Sequence, residues 1–332
     1  MSANTSAATG RGPVDTVAQR RPRRLRGLAW LVVRQHRTAL LVCAAAVVLG
    51  SAWMIYLRGE MVDSLRLAGW GPASTVPLDG DLVNRIENDL NSFASRVGSL
   101  PLLLGVFLGA PLIASDQERG TVRLVTTQSV ARGRWLRWKV GFALTLAVAT
   151  ALPLSLFYAW WWRSAEPIGA NQWLTGGPFE TTGPMLVAQV LFHTALGMAI
   201  GTLIRRIVPA MAVTLVTSYA VSLVAEVYRE RLGTPRRIAF PLDGPQPAFL
   251  DQVVQVDQWI GTGSGKLYGW GTCVSDASPE GCRASLGIVN SVWDFFERDQ
   301  MAGMQWTGAA LYLAAAAALV AGLLWRGRRA PL

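Results

Sequence analysis

Cutting the chain at every Asp, Glu, Lys and Arg leaves six long charge-free windows: residues 38–57, 97–115, 140–162, 181–204, 207–225 and 300–325. They hold 20, 19, 23, 24, 19 and 26 residues, and the next longest holds 13. A bilayer core about 30 Å thick is crossed by roughly 20 helical residues at about 1.5 Å each, so these six are long enough and nothing else comes near. Charged side chains make up only 16% of the chain, against roughly a quarter in ordinary soluble domains, which excludes disorder for its bulk. The expected fold is all-α, a polytopic integral membrane protein with six transmembrane helices near 38–57, 97–115, 140–162, 185–204, 207–225 and 306–325.

The distribution of charge supplies an orientation. The segments before the first window, between the second and third, between the fourth and fifth, and after the sixth carry 19 basic and 3 acidic residues, whereas the other three carry 12 and 18. Lys and Arg concentrate in cytoplasmic loops close to membrane ends, so both termini are expected in the cytoplasm of a multi-pass protein of the cell membrane. Topology thereby accounts for the net charge of +10. The basic residues are scattered over four short stretches and form no continuous groove, which argues against a nucleic-acid partner and leaves membrane lipid as the ordinary one.

Outside the windows, residues 1–24 are expected to form a disordered basic cytoplasmic tail, and 25–332 the membrane domain. Arg20 and Arg21 before an apolar run imitate a twin-arginine export signal, but no small-x-small cleavage site comes after it, so the run is read as an uncleaved first span. Residues 25–33, with Trp30 among arginines, suit either a helix lying in the interface or an extension of that span. Leu82, Ile86, Leu90, Phe93 and Val97 recur at helical spacing with Asp81 as an N-cap, a helix running into the second span and interrupted at Ser99 and Pro101. The long extracellular segment 226–299 carries five prolines and the aromatics Trp259, Trp270, Trp293, Phe295 and Phe296, which implies turns and partial burial without fixing a fold. Cys273 and Cys282 within it are candidates for a disulfide, which spacing alone leaves open.

The windows contain no Asp, Glu, Lys or Arg by construction, and ion-driven carriers usually place such groups in the membrane. His193 is the imidazole near the middle of the fourth window, best read as a hydrogen-bonding group between helices. Glu226, just past the fifth window, is expected at the outer interface. Together with Gln189, Thr217 and Ser218, His193 is also a candidate for a weakly polar translocation path. Gly197 and Gly201 form a G-x-x-x-G that permits close helix approach, within the chain or across a dimer. Residues 261–266 imitate a phosphate loop, but Ile260 and Leu267 occupy the positions that require Gly and Ser or Thr. No catalytic residues and no metal-ligand cluster emerge, and with two histidines in all there is little to build one from. Energy for uphill transport must then come from another chain.

The segment joining the second and third windows is the most specific. Pro111 is expected to weaken the end of the second span and Gly120 to interrupt it, after which Val122 to Thr127 has room for a short helix and Ser129 can cap the start of the third span. Arg132, Arg134 and Arg137 then sit in the first turns of a helix, where the macrodipole disfavours cations and an anionic lipid or an acidic partner would compensate.

This segment resembles the loop of permease subunits of ABC transporters of the ABC-2 exporter type, in a bacterial branch with the pattern G-A-P-L-x-A-R-E-x-E-x-G-T-x-x-L-x-x-T-Q-S-V-x-R-x-R-W-L-x-x-K. The matching residues run from Gly109, Ala110, Pro111 and Leu112 through Glu118, Gly120 and Thr121 to Gln128, Ser129, Arg132, Trp135 and Lys139. Ser115 and Asp116 depart from it, which leaves an ion pair at the end of the second span without its family basis.

The resemblance implies that the loop 116–139 couples this chain to a separate ABC ATP-binding subunit. Glu118 and Arg119 would then be polar contacts, Gly120 and Thr121 would set the turn, and Gln128, Ser129, Arg132 and Lys139 would anchor the loop against the ATPase or lipid. It further implies a second permease, as a homodimer or heterodimer. ATP and Mg would be bound by the partner ATPase, with no cofactor on this chain, which is a transport subunit and not an enzyme. The cargo expected from apolar spans is amphipathic or hydrophobic. A membrane-embedded sensor without transport and an ion-driven carrier are the alternative classes.

Overall fold

The computed structural model describes residues 33–70, 78–120, 132–165, 168, 172–174 and 177–329. Six helices are long and apolar enough to cross a membrane. The first span is Arg37–Leu67, the third Arg132–Ala165, the fourth Met185–Ile204, the fifth Ile207–Tyr228 and the sixth Asp299–Arg329. The second is built from Leu100–Leu104, a π-helical turn Gly105–Gly109, and Ala110–Glu118. Several helices overrun their charge-free windows: the first continues past Leu57 through Arg58, Glu60 and Asp63. A charge ends the apolar window but not the helix, because the extra turns can stand outside the hydrocarbon.

The helix ahead of the second span is Gly80–Gly98, and all five residues of its expected apolar face are buried. Its start differs from expectation, because Asp79, not Asp81, occupies the N-cap and its carbonyl accepts from Leu82 and Val83 at 3.1 Å. The interruption expected at Ser99 and Pro101 is confined to Ser99, a single turn residue through which bonds still run to Ser95 and from Leu103, and the helix resumes at Leu100 with Pro101 in its first turn. Pro111 likewise fails to end the second span. The π turn just before it widens the ladder where the ring and the missing donor would otherwise clash, and the helix runs on to Glu118.

The fourth span is the hub of the bundle, packed against the second, third, fifth and sixth, while the first span lies on the third. Small residues make the tightest of these contacts. A Cβ on Gly109 would lie 2.5 Å from the Thr194 carbonyl, and one on Gly197 would lie 2.2 Å from the Gly105 carbonyl. The Gly197/Gly201 motif is therefore used within the chain, against the π turn of the second span. With 67% of its apolar window buried, against 11% in the first span, the fourth is shielded by protein and the first is left for lipid.

The segment between the fifth and sixth spans, whose fold the sequence left open, forms a four-stranded antiparallel sheet in the order β1-β4-β2-β3. The strands are β1 Arg236–Pro241, β2 Val254–Thr262, β3 Leu267–Gly269 and β4 Ile288–Phe296. β4 is an interior strand, paired with β1 on one side and β2 on the other, and the most buried of the four. Pro241 closes edge strand β1, where a missing donor costs no ladder bond. Phe295 and Phe296 are buried, while Trp270 is half exposed, because it comes directly after the short β3 in an open turn. Cys273 and Cys282 are joined in a disulfide with a Cα separation of 5.7 Å. Val254 and Phe296 belong to the same apolar core as the spans, so the sheet is seated on the bundle. The bundle thus has a sheet end and a loop end.

Candidate functional site

At the loop end, the second span stops because Gly120 takes a left-handed conformation (φ +66°), the usual way to close a helix just after its last turn. Residues 121–131 lie outside the described residues, and with them Thr121, Gln128 and Ser129; the tail 1–24 and the stretch 25–32 lie outside as well. Arg132 opens the third span. Arg134 and Arg137 are exposed on its first turns and, with Trp138, line a shallow hollow. Arg119 is exposed at the end of the second span.

Lys139 requires a correction. The family resemblance gave it the role of anchoring the loop against the ATPase or lipid, but its side chain is fully buried. Its ammonium donates to the Leu112 carbonyl at 2.8 Å and forms an ion pair with Asp116, beneath the Trp135 ring. Asp116 also accepts from Gln35 Nε2 at 3.3 Å. The shortened carboxylate at 116 therefore does find a partner, because the long lysine stem crosses from the third span to reach it. One charged cluster ties the residues preceding the first span to the second and third spans. Removing one member of such a pair typically costs about 3–5 kcal/mol, since the other is left charged and buried.

Glu118 is also engaged within the chain. Its Oε2 accepts from the Ile207 backbone N–H at 2.9 Å. Ile207 opens the fifth span, where the first amides have no acceptor of their own helix and the dipole favours an anion. The fourth and fifth spans join through a tight turn at Arg205, which adopts φ 58°. The end of the second span is thus bonded both to the third span and to the start of the fifth.

At the sheet end, a cavity of about 600 Å³ opens between the helix Gly80–Gly98, the second, fourth and fifth spans and Tyr312 of the sixth. Gln189 and His193, candidates for a path in the sequence, are among its lining residues, joined by Ser222 and Glu226 of the fifth span and by Arg229 just after it. Thr217 does not reach it, because its hydroxyl donates back to the Val213 carbonyl; Ser218 is buried but is not part of the lining. His193 Nδ1 donates to the carbonyl of Gln189 one turn back at 2.9 Å, a bond within its own helix.

The charged groups here escape a reading of the sequence, which sets Glu226 at the interface and gives Glu180 and Arg229 no role. Arg229 donates to the Leu174 carbonyl at 2.8 Å and pairs with Glu180. Glu226 makes no ion pair among the described residues. A second hollow of about 350 Å³, lined mainly by apolar side chains of the fourth, fifth and sixth spans, shares Glu180, Gln189, Arg229 and Tyr312 with the first.

In the sheet itself, Arg237 makes two bonds of 2.6 Å to Asp294 across the β1–β4 pair, and Trp259 Nε1 adds a third at 3.2 Å. These bonds, the Arg237 pair foremost, hold the Asp294 carboxyl below the usual carboxylate range.

The sequence profile of the family described as ABC-2 membrane transporter related matches residues 30–229, more than half of the chain. It covers the first five spans and the loop between the second and third, and ends before the sheet. No curated protein and no solved structure matches.

Proposed function

The chain belongs to the ABC-2 membrane transporter related family and is a multi-pass permease component of an ABC transporter, and from that premise we propose that it is half of the membrane part of an ATP-driven exporter. A separate ATP-binding subunit docks on the loop end, which faces the cytoplasm together with both termini. ATP and Mg are held by that subunit, and a second permease completes the pair. The cargo is amphipathic or hydrophobic and leaves at the sheet end.

The observation that carries this reading is the bracing of the second span's end. A load applied to the segment after Gly120 meets a helix that cannot move alone. Asp116 and Lys139 bind it to the third span, and Glu118 binds it to the first turn of the fifth. The Gly109 and Gly197 contacts bind it to the fourth. Closely packed helices with small residues between them shift as bodies and do not bend, so ATPase closure at the loop is delivered to the spans that line the cavity. Arg119, Arg134 and Arg137, exposed around the same end, offer cations to an acidic surface on the ATPase.

The test is reconstitution with the ATP-binding subunit. Gly120→Pro and Arg134→Glu with Arg137→Glu are expected to abolish ATP-dependent movement of a fluorescent amphiphile across vesicle membranes while leaving the permease folded. Unchanged ATPase association and unchanged transport in these variants would contradict the coupling assignment.

A further inference from the structure

The two hollows at the sheet end differ in chemistry and share a wall. The larger one carries Asn91, Ser95, Gln189, Ser222 and Glu226 on its lining. The smaller one lies over the fourth span, between Val221 and Val224 of the fifth and Leu311 and Ala315 of the sixth. Val224 and Leu311 are exposed, so the smaller hollow is a groove open along the flank that faces lipid. Glu180, Gln189, Arg229 and Tyr312 stand between the two and border both. A molecule filling the pair would be polar at one end and apolar at the other, and could enter from the bilayer without crossing water.

The charge on the polar side fixes the sign of the head. Glu180 is already neutralised by Arg229, whose remaining reach is directed at the Leu174 carbonyl. Glu226 stands on the wall with no ion pair among the described residues. The rings of Tyr219 and Tyr312 border the same space, and a cation lying over aromatic faces is favoured where water is scarce. An anionic head beside Glu226 would instead be repelled by its carboxylate, with Arg229 already paired to Glu180.

We propose that this chain binds single-chain cationic amphiphiles, with an ammonium head beside Glu226 in the polar cavity and the tail in the groove between the fifth and sixth spans. This deepens the export reading and rests on it only for the claim that the bound molecule is cargo. Val221, Val224, Leu311 and Ala315 supply the apolar contact, and Gln189 marks the boundary between head and tail. Binding of this kind is selective by charge and limited by tail bulk, since the groove is much the narrower compartment.

The probe is radiolabelled decyltrimethylammonium, measured against the full chain in phosphatidylcholine nanodiscs, with empty nanodiscs subtracted to remove lipid partitioning. The expected result is a saturable component that unlabelled decyltrimethylammonium displaces and decyl sulfate does not. Glu226→Gln is expected to weaken it about tenfold or more, through loss of a charge-assisted contact. Ala315→Phe, which fills the groove, is expected to abolish it, and Glu226→Gln to leave the melting temperature unchanged. Absence of a saturable component, equal displacement by decyl sulfate, or unchanged binding in Glu226→Gln would overturn the proposal. The two readings fail separately. ATP-driven movement of another amphiphile without saturable ammonium binding removes this inference alone, whereas saturable binding that ATP never converts into movement leaves the site standing and removes export.

Discussion

The two ends of the bundle use the same kinds of charged residue in opposite ways. At the loop end Asp116, Lys139 and Glu118 are each engaged by a neighbour on another helix, and the ammonium of Lys139 has no exposure left. At the sheet end Glu180 and Arg229 pair on the wall of an open cavity, and Glu226 faces the same space with no ion pair among the described residues. Closed polar networks rigidify, and open ones leave binding capacity for something else. Under the proposed function, the braced loop end carries force and the open sheet end holds cargo.

The sharpest way to break this contrast is at Lys139. Lys139→Ala leaves Asp116 buried without its ammonium and is expected to cost about 3–5 kcal/mol, seen as a collapse of the melting temperature in detergent. Asp116→Leu combined with Lys139→Met is expected to recover most of that loss. Equal, small effects in the single and double variants would mean the pair does not brace the hairpin.

Next in size is the disulfide. Cys273→Ser is expected to destabilise the sheet by about 2–3 kcal/mol while the spans keep their helical signal, because the loop it closes lies within the sheet segment. Gly197→Ala places a methyl against the Gly105 carbonyl and is expected to cost about 1–3 kcal/mol through overpacking. Glu118→Gln keeps a weaker acceptor for the Ile207 amide, so a loss of about 1 kcal/mol or less is expected by thermal melting. Its larger consequence is expected in the ATP dependence of transport.

The smallest effect is one of pH. Arg237 holds the folded carboxyl of Asp294 below its unfolded value. Its contribution is therefore complete above the unfolded pKa of about 3.9 and is lost as pH falls through the folded one. Acid melting of the sheet monitored at Trp259 and Trp293 is expected to show this loss, and Asp294→Asn to abolish it.

Much of the architecture was legible in the sequence because lipid imposes one simple rule: an apolar stretch of sufficient length must become a helix. The five residues of the amphipathic face from Leu82 to Val97 were legible for the same kind of reason, since a 3.6-residue period has one meaning. The sheet was not, because its segment mixes Pro, Gly and aromatics and its central strand pairs with residues some 30 and 50 positions earlier. At the candidate site, Gln189 and His193 could be found as polar groups inside an apolar window. Asp116, Lys139, Glu180 and Glu226 could not, because cutting at charges turns those residues into the window borders. The helices run through or alongside these borders, and the residues that looked like edges are the ones that brace the loop end and line the cavity.

Under the proposed function, the loop between the second and third spans receives force from an ATP-binding partner in the cytoplasm. The most direct test places a cysteine at Arg119 in a background with Cys43→Ser and labels it with a membrane-impermeant maleimide. The account predicts no labelling in sealed right-side-out vesicles, full labelling once they are opened, and protection when the ATP-binding subunit is bound. Labelling of the sealed vesicles, or identical labelling with and without that subunit, would contradict it.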